Sequence, residues 1–222
     1  YRLLVSVGHD EYWSKEMRDN VESFTARGGN VAFFSGNVCW FQIRFDENCE
    51  HQICYKDPRF DPYNNPTQSK LVTGNWDDKP VRRASTSLTG VSYCDRDASM
   101  EYLVTKPDHW VFKHTELTKK SPFGTYRDTR GQVSSVLFET ETDRYQPFDS
   151  DLHNPMSPLN FVTLAVVPVL GSENKEEIET IDTAGTMGIF THGKGEVFTA
   201  ATNNWSLGLS QKDSEWTPID QI

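Results

Sequence analysis

The chain has 222 residues, with 22 Lys and Arg against 32 Asp and Glu, a formal net charge of -10 and an isoelectric point near 5.0. This charge argues against a surface for nucleic acid or an anionic membrane, because both need a basic footprint. No stretch approaches the roughly 18 apolar residues that a membrane-spanning helix requires. We therefore expect partners that are small molecules or proteins.

The start of the chain predicts a strand, a polar turn and a helix. An apolar run at residues 3–7 ends abruptly in the turn GHDEYW, residues 8–13. Ser14 suits the N-cap of a helix whose apolar stripe begins at Met17 and continues at i+4 and i+7. Ligands of open α/β sheets bind where strands end and helices begin, so this turn is the first candidate site.

A second strand is predicted at residues 30–35, sequence NVAFFS, directly after the helix. Strand, helix and strand in this order indicate a right-handed crossover and a parallel pair. The second strand ends at Gly36 and Asn37, a turn expected at the same edge of the sheet as residues 8–13. The sequence therefore predicts two polar turns that converge at one edge.

The next part of the chain has the pattern of a hairpin followed by a long loop. Residues 42–45 and 51–55 predict two paired strands. Residues 57–80 contain four prolines among many Asp and Asn residues, which predicts an irregular insertion. A loop of this kind either closes over a site as a lid or wraps the domain surface.

One later segment carries residues suited to acid–base or metal chemistry. If residues 110–116 form a strand, His114 and Glu116 project from one face, as half of a metal site or an acid–base pair would. The alternative is an ordinary surface strand. Residues 133–138 predict a further strand, and Glu139 follows at its polar end.

The C-terminal half also contains patterns that predict strands but carry no candidate functional residues. Residues 160–170 form an apolar run in which Pro168 argues against a central ladder position. Residues 187–192 and 196–201 predict two strands joined by a tight turn, and a helix is expected after residue 203.

Four cysteines occur without a CxxC pair. Cys49 and Cys54 could bridge a hairpin, but free or buried thiols are the interpretation that we favour. Free thiols are typical of a reducing compartment, so we expect a cytoplasmic location.

Several motifs resemble one family. They are VGHDEYWS (7–14), RDNVESFTARGGNVAFFSGNVCW (18–40), ICYK (53–56), LTGVSY (88–93) and GEVFTAATNNWSLGL (195–209). On these motifs, over essentially its whole length, the chain resembles the C-terminal domain of the large (beta) subunit of N,N-dimethylformamidase. The resemblance implies a glutamine-amidotransferase-like, flavodoxin-like α/β fold: a three-layer sandwich with a mixed, mainly parallel sheet and long inserted loops. We expect residues 1–222 to be a single domain, a fragment whose earlier strands precede Tyr1.

The resemblance also implies a metal site. The characterised amidase of the family holds a mononuclear ferric iron with two tyrosines and one glutamate, and a histidine lies close by. Carried over to this chain, Tyr12 is one ligand and Glu116 the carboxylate, with His114 beside it. The second tyrosine is Tyr55, or it is missing and Cys39 stands at its position. Phenolate and carboxylate oxygens are hard donors that suit iron as a Lewis acid.

Three functions are open on this basis. The first is a metal-dependent hydrolase of the C–N bond of a small amide, with His114, Glu139 or His9 transferring protons. The second is a hydrolase without a metal, in which His9 or His114 acts as base with a carboxylate. The third is a catalytically silent domain that binds a small ligand or a partner domain. We expect a homo-oligomer or an additional domain or subunit.

Overall fold

The structure is a computed structural model and describes residues 1–138, 140–147, 156–171, 183–209 and 218–222. The first eight strands are β1 (Leu3–His9), β2 (Tyr12–Ser14), β3 (Asn30–Gly36), β4 (Phe41–Phe45), β5 (Gln52–Ile53), β6 (Gly74–Asn75), β7 (Ser92–Cys94) and β8 (Tyr102–Val104). The remaining strands are β9 (Pro122–Phe123), β10 (Thr125–Arg127), β11 (Val133–Ser135), β12 (Thr142–Arg144), β13 (Val162–Pro168), β14 (Thr183–His192) and β15 (Gly195–Thr199). The α-helices are α1 (Lys15–Ala26), α2 (Thr86–Thr89) and α3 (Pro218–Gln221), and 3-10 helices cover Pro58–Phe60, Ser69–Leu71, Trp110–Phe112 and Trp205–Gly208.

The main sheet is mixed and has seven strands in the order β1-β3-β15-β14-β13-β8-β9. Only β1–β3 and β3–β15 pair in parallel, whereas the four other neighbours pair antiparallel. The α/β class is confirmed, but the prediction of a mainly parallel sheet is wrong. Parallel neighbours need a long crossover, and α1 is the one helix longer than four residues in the described part of the chain.

The predicted strand–helix–strand unit is confirmed. β1 and β3 pair in parallel with His9 opposite Gly36, and α1 connects them. The Ser14 hydroxyl caps α1 by accepting a hydrogen bond from the backbone N–H of Met17 at 3.2 Å. Both strands therefore end at the same edge of the sheet, as expected.

The buried face of α1 differs from the predicted apolar stripe. Met17 is exposed, whereas Arg18 is fully buried and stacks over the Trp76 ring at 4.7 Å. Its guanidinium donates to the carbonyl oxygens of Arg83 and Ala84, at 2.6 and 2.5 Å. A buried cation is tolerated here because its donors find carbonyl acceptors, a condition that periodicity alone does not reveal.

The two faces of the sheet are covered differently. Helix α1 packs on one face, in a cluster that includes Val21, Val31 and Trp76. The other face is covered by short segments that supply Phe112, Trp205 and other apolar residues. Within the described part of the chain, this face is therefore covered by short segments such as 3-10 turns and loops rather than by long helices.

The long insertion at 57–80 packs against the domain. β4 pairs antiparallel with both β5 and β6, which confirms the predicted hairpin. The 57–80 segment holds two 3-10 helices and β6, and its Val72 and Trp76 side chains are fully buried. This part of the insertion supports the interpretation of a segment that wraps the domain.

Two strand predictions need correction. Residues 110–112 form a 3-10 helix followed by a turn, so the strand predicted at 110–116 is wrong. The backbone N–H groups of the turn bond locally, as from Lys113 to the carbonyl of Trp110. The strand predicted at 133–138 stops at Ser135. The last two predicted strands are confirmed as β14 and β15, and β13 ends at Pro168, although β13 itself is central in the sheet.

All four cysteines are free thiols, as favoured from the sequence. Among the described residues, no helix is both long and apolar enough to cross a membrane.

Candidate functional site

Two polar turns meet at the edge of the sheet where β1 and β3 end. The Cys39 N–H donates to the carbonyl of Asp10 at 2.9 Å, and the N–H groups of Trp40 and Phe41 donate to the carbonyl of Glu11 at 3.0 and 2.9 Å. These bonds join residues 8–13 to the segment after β3. The convergence predicted from the sequence is therefore confirmed.

Asp10 stabilises the first turn. Its carboxylate accepts hydrogen bonds from the Ser6 hydroxyl at 2.5 Å and from the Trp13 indole at 2.9 Å. With its acceptors used in this way, Asp10 fixes the corner between β1 and α1, and Trp13 is buried beneath it.

His9 lies between two carboxylates. Its Nε2 is in close contact with Oε2 of Glu141 and lies 3.8 Å from Oε2 of Glu11. The side chains of His9, Glu11 and Glu141 are 41%, 12% and 35% exposed, so solvent reaches the imidazole while Glu11 is largely covered. Two carboxylates at Nε2 favour the tautomer with the proton on that nitrogen, which leaves Nδ1 as the basic nitrogen.

Asn37 contacts Glu141, next to His9. Its Nδ2 donates to Oε1 of Glu141 at 3.4 Å, and its Oδ1 is buried without a hydrogen-bond partner. The opposite orientation of the amide would place two acceptors against each other, so this assignment is the favourable one. The edge therefore holds a buried carbonyl oxygen that lacks a donor.

Asp143 lies beneath the turn that carries Asn37. Its carboxylate accepts hydrogen bonds from the backbone N–H groups of Asn37 at 2.9 Å and Val38 at 3.5 Å. Burial raises the pKa of Asp143 to about 7, although the two backbone donors favour the ionised form and the nearby Glu141 charge opposes it. The turn after β3 thus rests on a buried carboxylate that titrates near neutral pH.

Tyr12 and Lys56 lie on the other side of Glu11. The Lys56 ammonium lies 5.5 Å from the centroid of the Tyr12 ring, which stacks on Phe41. A hydrogen bond with the Tyr12 phenol raises the pKa of Lys56, and the Glu11 charge acts in the same direction. The phenol and the ammonium add hydrogen-bond donors to an edge that is rich in acceptors.

The predicted iron ligands are not brought together as a set. Tyr12 begins β2, shortly after β1 ends, and Tyr55, which precedes Lys56, is 42% exposed. Glu116 and His114 are both exposed and lie in the connection between β8 and β9. Within the part of the chain that the structure describes, no group of three or more His, Cys, Asp or Glu side chains is arranged to hold a metal ion.

The topology explains the separation of Glu116 from Tyr12. β8 pairs antiparallel with β13, and two further antiparallel steps through β14 lead to β15, so β8 runs opposite to β1. The segment that follows β8 therefore starts at the opposite edge, and Lys120 returns to bond the carbonyl of Val104. Glu116 therefore lies in a connection that leaves and rejoins β8 at the edge opposite to Tyr12.

Two other predicted residues have different outcomes. Glu139 lies outside the described residues. The Cys39 thiol is fully buried, and burial raises its pKa to about 12, so it is neither an exposed ligand nor a nucleophile.

Glu141, Asn37 and Asp143 were not selected from the sequence as site residues. The signal that could have located the two acids is their alternation in TETD, residues 140–143, after a predicted strand. Nothing local connects them to Asn37, which lies 104 positions before Glu141.

A family model described as "N,N-dimethylformamidase beta subunit-like, C-terminal" matches residues 1–217. No curated protein matches the chain. The match covers all the described residues of the edge, including His9, Asn37 and Glu141. The chain belongs to the N,N-dimethylformamidase beta subunit-like, C-terminal family.

Proposed function

We propose that this chain hydrolyses the C–N bond of a small amide at the edge formed by His9, Glu11, Asn37 and Glu141. One observation supports it above the others: His9 is solvent-accessible, its Nε2 contacts the Glu141 carboxylate, and the Glu11 carboxylate lies 3.8 Å away. A carboxylate that orients an imidazole and stabilises its protonated form is the arrangement of a general base. Family membership supports the substrate class.

The proposed proton transfers use groups of this chain only. His9 Nδ1 removes a proton from a water molecule as the water oxygen attacks the amide carbon. The same proton then passes to the leaving nitrogen as the C–N bond breaks, giving a carboxylic acid and an amine. Glu11 and Glu141 stabilise the transient imidazolium, while Tyr12 and Lys56 donate toward the developing oxyanion.

The acceptors at this edge suggest which amides suit it. Asn37 Oδ1 is buried without a hydrogen-bond donor, and the Glu141 carboxylate accepts a hydrogen bond from Nδ2 of the same side chain. The N–H of a primary or secondary amide substrate supplies the missing donor, whereas a tertiary amide has none. We therefore propose that primary and secondary amides are preferred to N,N-dialkyl amides.

The test compares formamide, N-methylformamide and N,N-dimethylformamide by following amine release. We expect kcat/KM to be lower for the dialkyl amide by about 5- to 100-fold, because an unpaired buried acceptor costs about 1–3 kcal/mol. Asn37→Gly keeps the left-handed backbone (φ 50) and removes the amide, so it should abolish this preference. Faster cleavage of the dialkyl amide contradicts the preference, and no cleavage of any member contradicts the hydrolase.

We also propose that an iron ion takes part in the reaction. The family resemblance supports this, and so does the Tyr12 phenol, which can supply a hard oxygen donor at the edge. Glu116 is not among the proposed ligands. If Tyr12 binds ferric iron, the purified protein contains about one iron per chain and shows a phenolate-to-iron absorption band in the visible region. Tyr12→Phe should remove the band, whereas Tyr126→Phe should retain it as a matched control. The proposal would be contradicted if the protein stayed colourless after reconstitution with iron and held less than about 0.1 iron per chain.

Family membership supports two further parts of the proposal. We propose that the chain works beside a second subunit or domain, in keeping with the family's description as beta subunit-like. We also propose a glutamine-amidotransferase-like fold and a single domain over residues 1–222.

A further inference from the structure

Several residues at the candidate site have a left-handed backbone without being glycine, and Asn37 and Ala201 are two of them. Asn37, after β3, has φ 50, and Ala201, after β15, has φ 63. Such conformations are costly for residues with a Cβ, more so for alanine than for asparagine, and they persist where surrounding contacts impose them. Both residues lie where parallel strands end. The contacts that impose these conformations therefore also determine the geometry of the site.

Asp143 contacts both of these turns. Its carboxylate accepts hydrogen bonds from the N–H groups of Asn37 and Val38, and its own backbone N–H donates to the carbonyl of Ala201 at 3.3 Å. The bridge between Thr142 and Thr202 holds the same two segments together one residue away. One residue of β12 therefore ties the end of β3 to the end of β15.

The surroundings of the carboxylate are acidic or neutral. Asp143 is 1% exposed; Tyr93 faces it from β7, Tyr102 approaches from β8, and Glu141 precedes it in the chain. None of these groups is a cation, so the two backbone donors are what stabilise the ionised form. Burial outweighs them and raises the pKa of Asp143 to about 7.

We propose that Asp143 is a positioning residue, whose ionised carboxylate holds the turn at residues 36–38 so that Asn37 lies against Glu141. In the ionised form, both oxygens accept backbone hydrogen bonds. In the protonated form, one oxygen carries a hydrogen and is a poorer acceptor, so the longer bond from Val38 weakens first. Protonation therefore loosens the turn that carries Asn37, and the geometry of the site changes near neutral pH. The effect on catalysis rests on the proposed function, whereas the effect on the turn does not.

The test follows the backbone amides by NMR between pH 5.5 and 8.5. We expect the Asn37 and Val38 amide signals to titrate together with a midpoint near 7, and to lose this titration in Asp143→Asn. Asp95→Asn removes an exposed charge directly after β7, the strand that pairs with β12, and it should retain the titration. Signals of Asn37 and Val38 that stay constant with pH in the wild-type protein would overturn the proposal, even if the variant fails to fold.

Stability gives a second readout. The folded-state pKa of about 7 lies above the ordinary value of 3.8, so the folded protein binds more protons than the unfolded chain between these values. The contribution of Asp143 to stability is therefore fully present below about pH 4 and is lost as the pH rises to about 7. The melting temperature of Asp143→Asn relative to wild type should rise across this window, and a constant difference would contradict the assignment.

Activity separates this role from the proposed function. With an amide substrate, kcat should fall as the pH drops below 7, with little change in KM. In Asp143→Asn, the part of this decrease that is due to protonation of Asp143 should be absent. If no amide substrate is hydrolysed but the backbone N–H signals of Asn37 and Val38 titrate, the proposed hydrolase activity is contradicted and the positioning role of Asp143 is supported. If hydrolysis occurs and the signals stay constant, the positioning role fails and the hydrolase stands.

Discussion

Glu141→Gln is expected to lower kcat for amide hydrolysis by about 10²- to 10⁴-fold, the usual contribution of a general base and the group that orients it. The substitution is isosteric, and Glu141 is 35% exposed, so the fold should be retained. A glutamine amide can present an N–H to His9 Nε2 where the carboxylate presented only acceptors, which favours the unproductive tautomer. Steady-state kinetics with the best amide of the series measures the loss, and circular dichroism checks the fold.

Glu116→Gln is the matched control for this experiment. Glu116 is exposed and lies in the connection after β8, so its substitution should leave kcat/KM within about twofold of wild type. The pair also separates the two assignments of the carboxylate. If Glu116→Gln abolishes activity and Glu141→Gln does not, the resemblance identified the correct acid and the His9–Glu141 base is wrong.

His9→Gln should match the loss caused by Glu141→Gln, and the double variant should be little worse than either. Residues that act as one unit show strongly non-additive effects, because removing either partner already disables the base. Losses that multiply in the double variant would show that His9 and Glu141 act in separate steps.

The opening unit could be predicted from the sequence because its signals are local. Strand β1, the Ser14 cap, α1 and β3 follow from an apolar run, a capping residue and a helical period. Each of these signals lies within a few residues of the structure that it specifies. His9 and Tyr12 lie at the edge where β1 ends for the same reason.

The remaining part of the site depends on pairings that are distant in sequence. Glu141 reaches His9 only because β9 returns the chain toward the edge where β1 ends, and the short strands β10 and β11 carry little periodicity. The segment around Glu116 has an alternating pattern that matched a strand, but its backbone groups are satisfied within a 3-10 turn. Periodicity over seven residues does not distinguish these cases.

Gly36 lies where three segments of this edge meet. Its φ is not in the left-handed region, so glycine is needed here because a side chain would not fit, and not because of the backbone conformation. A Cβ at this position would lie 2.4 Å from the carbonyl oxygen of Glu141 and 2.9 Å from the backbone nitrogen of Asn203. Both are backbone atoms, so relief requires the ends of β3, the segment before β12 and the segment after β15 to move apart.

Gly36→Ala is therefore expected to destabilise the protein by at least about 3 kcal/mol, at the upper end of the usual cost of overpacking. For a chain of this size, the melting temperature should fall by about 6–12 °C. Gly74→Ala is the control, because its Cβ would meet the Pro58 side chain at 3.3 Å and a small shift of the ring relieves the contact. We expect a cost below about 1 kcal/mol for this control. If Gly36→Ala melts within about 2 °C of wild type, the three segments are not in contact and the edge does not hold His9, Asn37 and Glu141 together.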